Sequence, residues 1–329
     1  MCGIVGYIGE CDALPILMKG LRGLEYRGYD SSGVAFIEEG EMKVIKKKGR
    51  LSVLEDLLRE QKYLPSDGCS DCIRGIHLGI GHTRWATHGA PNDENSHPHL
   101  SNNGRICVVH NGIIENYIDL RKHLIAKGYE FLSETDTEVI AHLIEYNYLN
   151  HCSGNIFDAV QMTLLELEGS YALGVLCTDY PDTLIAARKD SPLVVGIGNG
   201  ANYVASDIPA LLSHTREVLI LEDSEIVEIK KDSVKLFGIH GEPVDRKAIH
   251  IDWDAEAAEK GGYEHFMMKE IHEQPKAVQD TLNSVIKNDV IDLSSVEITE
   301  DEIKNFEQIY IVACGSAWHV GMAAQYVLE

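Results

Sequence analysis

Positive charge is scarce in this chain: 29 lysines and arginines stand against 52 aspartates and glutamates over 329 residues, a formal net charge of −23. That excess repels phosphate backbones and anionic bilayers, so neither nucleic acid nor a membrane is an expected partner, and an anionic small substrate would need a local cationic pocket. Long apolar runs are missing as well. None approaches the ~20 residues of a membrane span, and the first ten residues hold no Lys or Arg. Neither an anchor nor a signal peptide is therefore expected, and the expected compartment is the cytoplasm. Cysteine is sparse, with eight residues spread from position 2 to position 314, which argues for reduced thiols rather than a disulfide framework. Cys69 and Cys72 are the single close pair. Without a second pair or neighbouring histidines they read as a surface loop, and no metal or cofactor is expected.

What is present begins at the second residue. In Met1-Cys2-Gly3-Ile4-Val5-Gly6, loss of Met1 would leave a thiol and a free α-amine on one residue. An α-amine titrates near ~7.7–8.0, so it can take the proton of the adjacent thiol without help from a histidine or lysine. The alternative reading is a small buried residue that starts a strand.

Periodicity organises the rest. Residues 2–9 read as a buried strand, and 12–26 as a helix with Leu14, Leu17, Met18, Leu21 and Leu24 on one face. A hairpin follows across Glu39-Gly40, then a helix at 51–61 and strands at 76–82 and 105–110. The last two strands are separated by a polar loop from His88 to Asn103. Helices fit around 117–125, 139–144 and 155–166. From Ser170 to about Phe237 short β-rich segments separated by turn residues predict antiparallel sheet, with 225–237 read as one segment. The expected class is α+β, with sheets layered against helices over residues 1–240. A polar helical connector is expected over 241–305. Residues 306–329 then read as a strand at 309–313 and a helix, the start of a truncated α/β domain with a parallel sheet.

Four stretches carry groups suited to chemistry. In HTRWATHG, Arg84 follows a strand and can hold a carboxylate bidentately, with Trp85 as cover and His88 as a donor in the loop. Asn111-Gly112 ends an apolar strand, where a side-chain amide and a backbone N–H can aim at one developing oxyanion; it is equally an ordinary turn dipeptide. Asp136 lies in a predicted first helical turn, where the dipole favours a carboxylate suited to a substrate ammonium, and Thr135 and Glu138 are spaced as a capping box. Together with Cys2 these groups form an amino-acid-shaped set.

The motifs at 1–6, 82–89, 110–116 and 133–138 resemble the class II glutamine amidotransferase family. The resemblance implies an N-terminal-nucleophile hydrolase sandwich, two antiparallel sheets between helical layers. It also implies that Cys2 attacks the glutamine side-chain amide, that Arg84 holds the α-carboxylate and Asp136 the α-ammonium, and that Asn111 with Gly112 binds the oxyanion. Trp85, Thr87 and His88 would belong to a loop that closes over glutamine. Within that class, LEYRGYDSSG at 24–33, GGYEHFMMKEIHEQP at 261–275 and IYIVACGSAWHVG at 309–321 are similar to glutamine–fructose-6-phosphate aminotransferases. That similarity implies fructose 6-phosphate as second substrate, a homodimer for the full-length enzyme and, at Ser316, a sugar-phosphate contact on a helix N-terminus. On this reading a fragment of this length would be a glutaminase only. Another class II amidotransferase, or a non-catalytic interaction fragment, is the alternative. The loop commonly written C-G-T-S in that family is Cys314-Gly315-Ser316-Ala317 here, so one hydroxyl is missing.

Overall fold

A computed structural model describes residues 2–65, 75–252, 262–287, 290–292 and 298–328. The Cys69/Cys72 pair and Gly261 lie outside the described residues. The chain divides into two compact units, Met1–Gly261 and Gly262–Glu329.

The first unit is built around central strands such as Gly3–Gly9 and Leu78–Arg84 that are buried along their whole length, the pattern of a sheet covered on both sides. Its elements are β1 (Gly3–Gly9), α1 (Ala13–Arg22), β2 (Ser31–Glu38), β3 (Glu41–Lys48), α2 (Leu51–Glu60), β4 (Leu78–Arg84), β5 (His99–Leu100) and β6 (Ile106–Ile114). They continue with α3 (Tyr117–Ala126), α4 (Thr137–Asn150), α5 (Ile156–Glu166), β7 (Gly169–Cys177), β8 (Leu184–Lys189), β9 (Val194–Ile197) and β10 (Ala201–Ala205). The last strands are β11 (Glu217–Ile220), β12 (Glu225–Lys230), β13 (Ser233–Gly238), β14 (Pro243–Val244) and β15 (Ile249–His250).

These strands make an eight-stranded sheet in the order β15-β11-β9-β10-β1-β4-β2-β3 and a seven-stranded sheet in the order β14-β13-β12-β8-β7-β6-β5. All strand pairs in both are antiparallel. The two-residue period of a strand sorts side chains between layers. In β1, Ile4 and Ile8 pack between the sheets with Cys107, Val109 and Leu184. Val5 and Tyr7 of the same strand face the other way, toward Leu14, Leu17 and Leu21 of α1. On the seven-stranded sheet, Ile106 and Val108 turn outward to α4 and α5. The result is helices, sheet, sheet, helices.

Two local differences from the sequence reading have simple causes. Residues 225–237 are a hairpin, not one strand, because Lys231-Asp232 makes the turn and Lys230 pairs with Ser233. The polar loop 88–103 is partly internal: Asn95, Ser96, His97, His99 and Ser101 are buried, while its two ends are exposed or half-buried. Lys46 explains this, since its Nζ donates to the main-chain oxygens of Glu94 (3.1 Å), Ser96 (2.7 Å) and Pro98 (3.1 Å). Gly33 adds room, because a Cβ there would sit 2.3 Å from the His97 oxygen.

In the second unit, α6 (Phe266–Val285) leads to a small hairpin of β16 (Ile286–Lys287) and β17 (Val290–Ile291). The short α7 (Glu300–Lys304) starts with a capping box between Thr299 and Glu302, and α8 (Gly315–Leu328) ends the described residues. The strand expected at 309–313 is not formed. Those residues are exposed, and no strand among the described residues offers them hydrogen-bond partners. No helix among the described residues is long and apolar enough to cross a membrane, and no group of histidines, cysteines and carboxylates there could hold a metal ion.

Candidate active site

The site is assembled where the two sheets meet at one end. Cys2 immediately precedes β1, and Arg84 is the last residue of β4, paired with Ser31 of β2. Asn111 and Gly112 lie on the far half of β6, opposite Ala172 and Tyr171 of β7. Asp136 is the residue just before α4. Cys2, Arg84, Asn111, Gly112 and Asp136 all line one cavity of about 480 Å³, with Trp85 and Thr87 at its edge. Ser316 belongs to the other unit, on the first turn of α8, and is exposed.

Cys2 faces the start of the 85–88 segment. Its Sγ accepts the Trp85 N–H at 3.2 Å. Burial pushes the thiol pKa up, while that N–H, the positive chain terminus and Arg84 pull it down. Asp30 pins the segment, donating its own N–H to the Arg84 oxygen (2.7 Å) and accepting the Ala86 N–H on Oδ2 (2.6 Å). Trp85 itself is 54% exposed, a large aromatic left at the mouth of the cavity.

Arg84 is buried, and Nη2 donates to the main-chain oxygens of His88 and Gly89. Nη1 is buried with no hydrogen-bond partner among the described residues, so a charged donor stands ready in a cavity lining. An unpartnered buried donor costs ~1–3 kcal/mol, which an incoming carboxylate would relieve. Burial draws the guanidinium pKa down, and Asp30, Cys2 and Asp136 oppose it. His88 does not line the cavity. Its ring packs edge-on against Tyr117 at 5.4 Å, and its contribution is the oxygen that holds Arg84.

Gly112 adopts φ +133°, and a Cβ there would lie 2.1 Å from the Ser170 oxygen; only glycine fits this backbone. Asn111 Nδ2 donates to the Cys2 main-chain oxygen at 3.1 Å, which puts the amide beside the thiol-bearing residue. Asp136 is not within a first helical turn as expected: it is the cap residue itself, with Oδ2 accepting the Ile114 N–H at 2.8 Å. The capping box is half formed. Thr135 Oγ1 accepts the Glu138 N–H at 3.4 Å, but the Glu138 carboxylate turns to the N–H groups of Leu132 (2.8 Å) and Ser133 (2.7 Å).

Sequence reasoning missed what supports these groups. His82, His97, His99 and His110 form a buried run at the cavity, with His97 and His110 in its lining and ring centroids 4.3 Å apart for His82 and His97 and 4.7 Å for His97 and His99. Burial pushes all four pKa values down, that of His82 to about 3. Two of the four sat in quoted motifs, but no local pattern separates a buried histidine from a solvated one. Arg27 also reaches the cavity, anchored by Nη1 to the Ser206 oxygen at 3.3 Å.

Residues 82–213 match the family model of the glutamine amidotransferase domain. Over its full length the chain is 56% identical to the glutamine–fructose-6-phosphate aminotransferase (isomerizing) of Caldanaerobacter subterraneus subsp. tengcongensis and 46% identical to that of Aquifex aeolicus. It spans about half the length of these curated relatives, 52% in each case. Among solved structures, glutamine phosphoribosylpyrophosphate amidotransferase from B. subtilis aligns at 26% identity and TM-score 0.58, over 72% of this chain and 49% of that one. A structure titled as the allosteric regulatory enzyme of purine biosynthesis aligns at 27% identity and TM-score 0.60, over 72% and 49%. The helix–sheet–sheet–helix unit is accordingly the N-terminal-nucleophile hydrolase sandwich of these amidotransferases. The chain thus carries a glutamine amidotransferase domain and, over its full length, is similar to glutamine–fructose-6-phosphate aminotransferases.

Proposed function

We propose that the chain hydrolyses glutamine to glutamate and ammonia through a thioester on Cys2. The observation that carries this reading is the single cavity lined by a thiol, a partly unpaired guanidinium, a carboxylate and an amide beside a glycine N–H. With Met1 removed, the α-amine on Cys2 takes the thiol proton, and Sγ attacks the side-chain carbonyl carbon of glutamine. The tetrahedral oxyanion is held by Asn111 Nδ2 and the Gly112 N–H. Ammonia leaves with the proton returned by the amine, and water attacks the thioester to release glutamate and regenerate the thiol. Arg84 binds the substrate α-carboxylate through Nη1 and Asp136 its α-ammonium, so glutamine is recognised at its constant end while its amide meets Cys2. Trp85 and Thr87 lie on the segment that covers the bound substrate, and His88 of the same segment holds Arg84 through its main-chain oxygen.

Within the longer protein the relatives represent, the ammonia would pass to fructose 6-phosphate to give glucosamine 6-phosphate in a cytoplasmic homodimer. Residues 1–240 would be the glutaminase domain and 241–305 the connector. Residues 306–329 would begin the sugar-binding domain, with Ser316 a phosphate contact. Glutamate release by the chain with Met1 removed tests the reading: Cys2→Ala should bring it to background with an unchanged circular-dichroism spectrum. Release that survives the substitution overturns the nucleophile assignment.

A further inference from the structure

We propose that His82 is a positioning residue for the oxyanion site, orienting the Asn111 amide so that its nitrogen faces Cys2. The inference rests on the glutaminase reading and deepens it. His82 Nε2 lies 3.0 Å from the His110 main-chain oxygen and 2.9 Å from Asn111 Oδ1. A carbonyl oxygen only accepts, so Nε2 must carry the ring hydrogen. The Asn111 atom turned toward that hydrogen is therefore its oxygen, and the amide nitrogen is directed the other way, to the Cys2 oxygen at 3.1 Å. Rotating the amide by half a turn would set N–H groups against the ring N–H and carbonyl against carbonyl at Cys2. Both contacts would be repulsive at once.

The other ring nitrogen agrees. His82 Nδ1 is buried with no hydrogen-bond partner among the described residues, so a proton there would be left unpaired. The ring is thus the neutral Nε2–H tautomer. Burial, together with the nearby His110 and Arg84, holds it neutral, and His97 stacks on its face.

The placement also has mechanical meaning. His82 lies on β4 of one sheet and Asn111 on β6 of the other, while Cys2 leads into β1 of the first. Nucleophile and oxyanion donor therefore come from different sheets. The path from His82 to Asn111 to Cys2 bridges the gap between them with fixed polarity. A donor held before substrate arrives needs no reorganisation when charge develops.

A double-mutant cycle on the full chain with Met1 removed tests this, using His82→Ala, Asn111→Ala and the pair, with kcat and KM for glutamine hydrolysis. His82→Ala should lower kcat by roughly 10–100-fold while KM moves less than about threefold, because the oriented amide acts on the transition state. In the Asn111→Ala background the same change should cost less than about threefold further. An additive loss in that background, or a KM rise that matches the kcat loss, overturns the proposal. If His82→Ala does not fold, ¹⁵N-histidine spectra of the unmutated chain decide instead: a His82 Nε2–H tautomer supports the proposal and an Nδ1–H tautomer overturns it. An unmutated chain that releases no glutamate overturns the glutaminase reading, and the tautomer then still decides the orientation of Asn111.

Discussion

Two apolar runs of similar composition meet opposite fates. Ile-Cys-Val-Val-His at 106–110 is a fully buried strand that pairs with β7 on one side and β5 on the other. Ile-Tyr-Ile-Val-Ala at 309–313 is exposed coil, with Val312 95% exposed. Apolar β-rich composition thus supplies a capacity to form strand, and partners decide whether it does. The difference matters for chemistry, because the buried run continues directly into Asn111 and Gly112. A side chain meant to stabilise a transition state needs a backbone held on both edges and both faces, and only the first run has one.

The comparison can be broken most forcefully at its first residues. Ile106→Ala should destabilise the N-terminal unit by about 2–5 kcal/mol in urea unfolding, since its side chain is enclosed among α4, α5 and β7; a change below about 1 kcal/mol would mean the strand is not held as described. A comparably large effect belongs to function. Asn111→Ala should lower the rate of glutamine hydrolysis by ~10²–10³-fold, about 2.7–4 kcal/mol of barrier, with little change in unfolding midpoint. A graded, pH-dependent effect comes from the buried histidines. The His82 pKa is about 3 in the folded state, below the ordinary ~6.5 of an unfolded chain. Between these values the unfolded state binds the proton and the folded state does not, so this contribution is complete above pH 6.5 and lost as pH falls toward 3. Each such histidine contributes ~1.4 kcal/mol per pH unit within its window. His97, His99 and His110, also shifted down by burial, act in the same direction. A stability flat from pH 6.5 to 4.5 would contradict this. The smallest expected effect is Ile309→Ala, which should leave the main unfolding transition within about 0.5 kcal/mol, as for other exposed positions.

Legibility followed the range of the interactions. Elements fixed by local periodicity, such as β1, α1 and the β2–β3 hairpin, could be read within a few residues, because one or two faces of each are uniformly apolar. The hairpin at Lys231-Asp232 was missed because Asp232 favours a turn but has no Gly, Pro or Asn beside it, so the turn carried a weaker signal. The burial of 95–101 depends on Lys46, about fifty residues earlier, and no window along the chain contains both ends of that contact. Cys2, Arg84, Asn111, Gly112 and Asp136 were found as motif residues, and the structure brings these five to one cavity. Their supports were not found. His82 and His97 are recognisable only from the space between the sheets, and the partly engaged state of Arg84 comes from main-chain oxygens at His88 and Gly89 that any residue could supply.

Glutamate release measured on a sample whose intact mass is recorded is the most direct test of a thiol activated by its own terminus. The account predicts turnover only from molecules that begin at Cys2, with an acyl adduct on that residue trapped by rapid acid quench. Turnover of the same rate from chains that retain Met1 would contradict it.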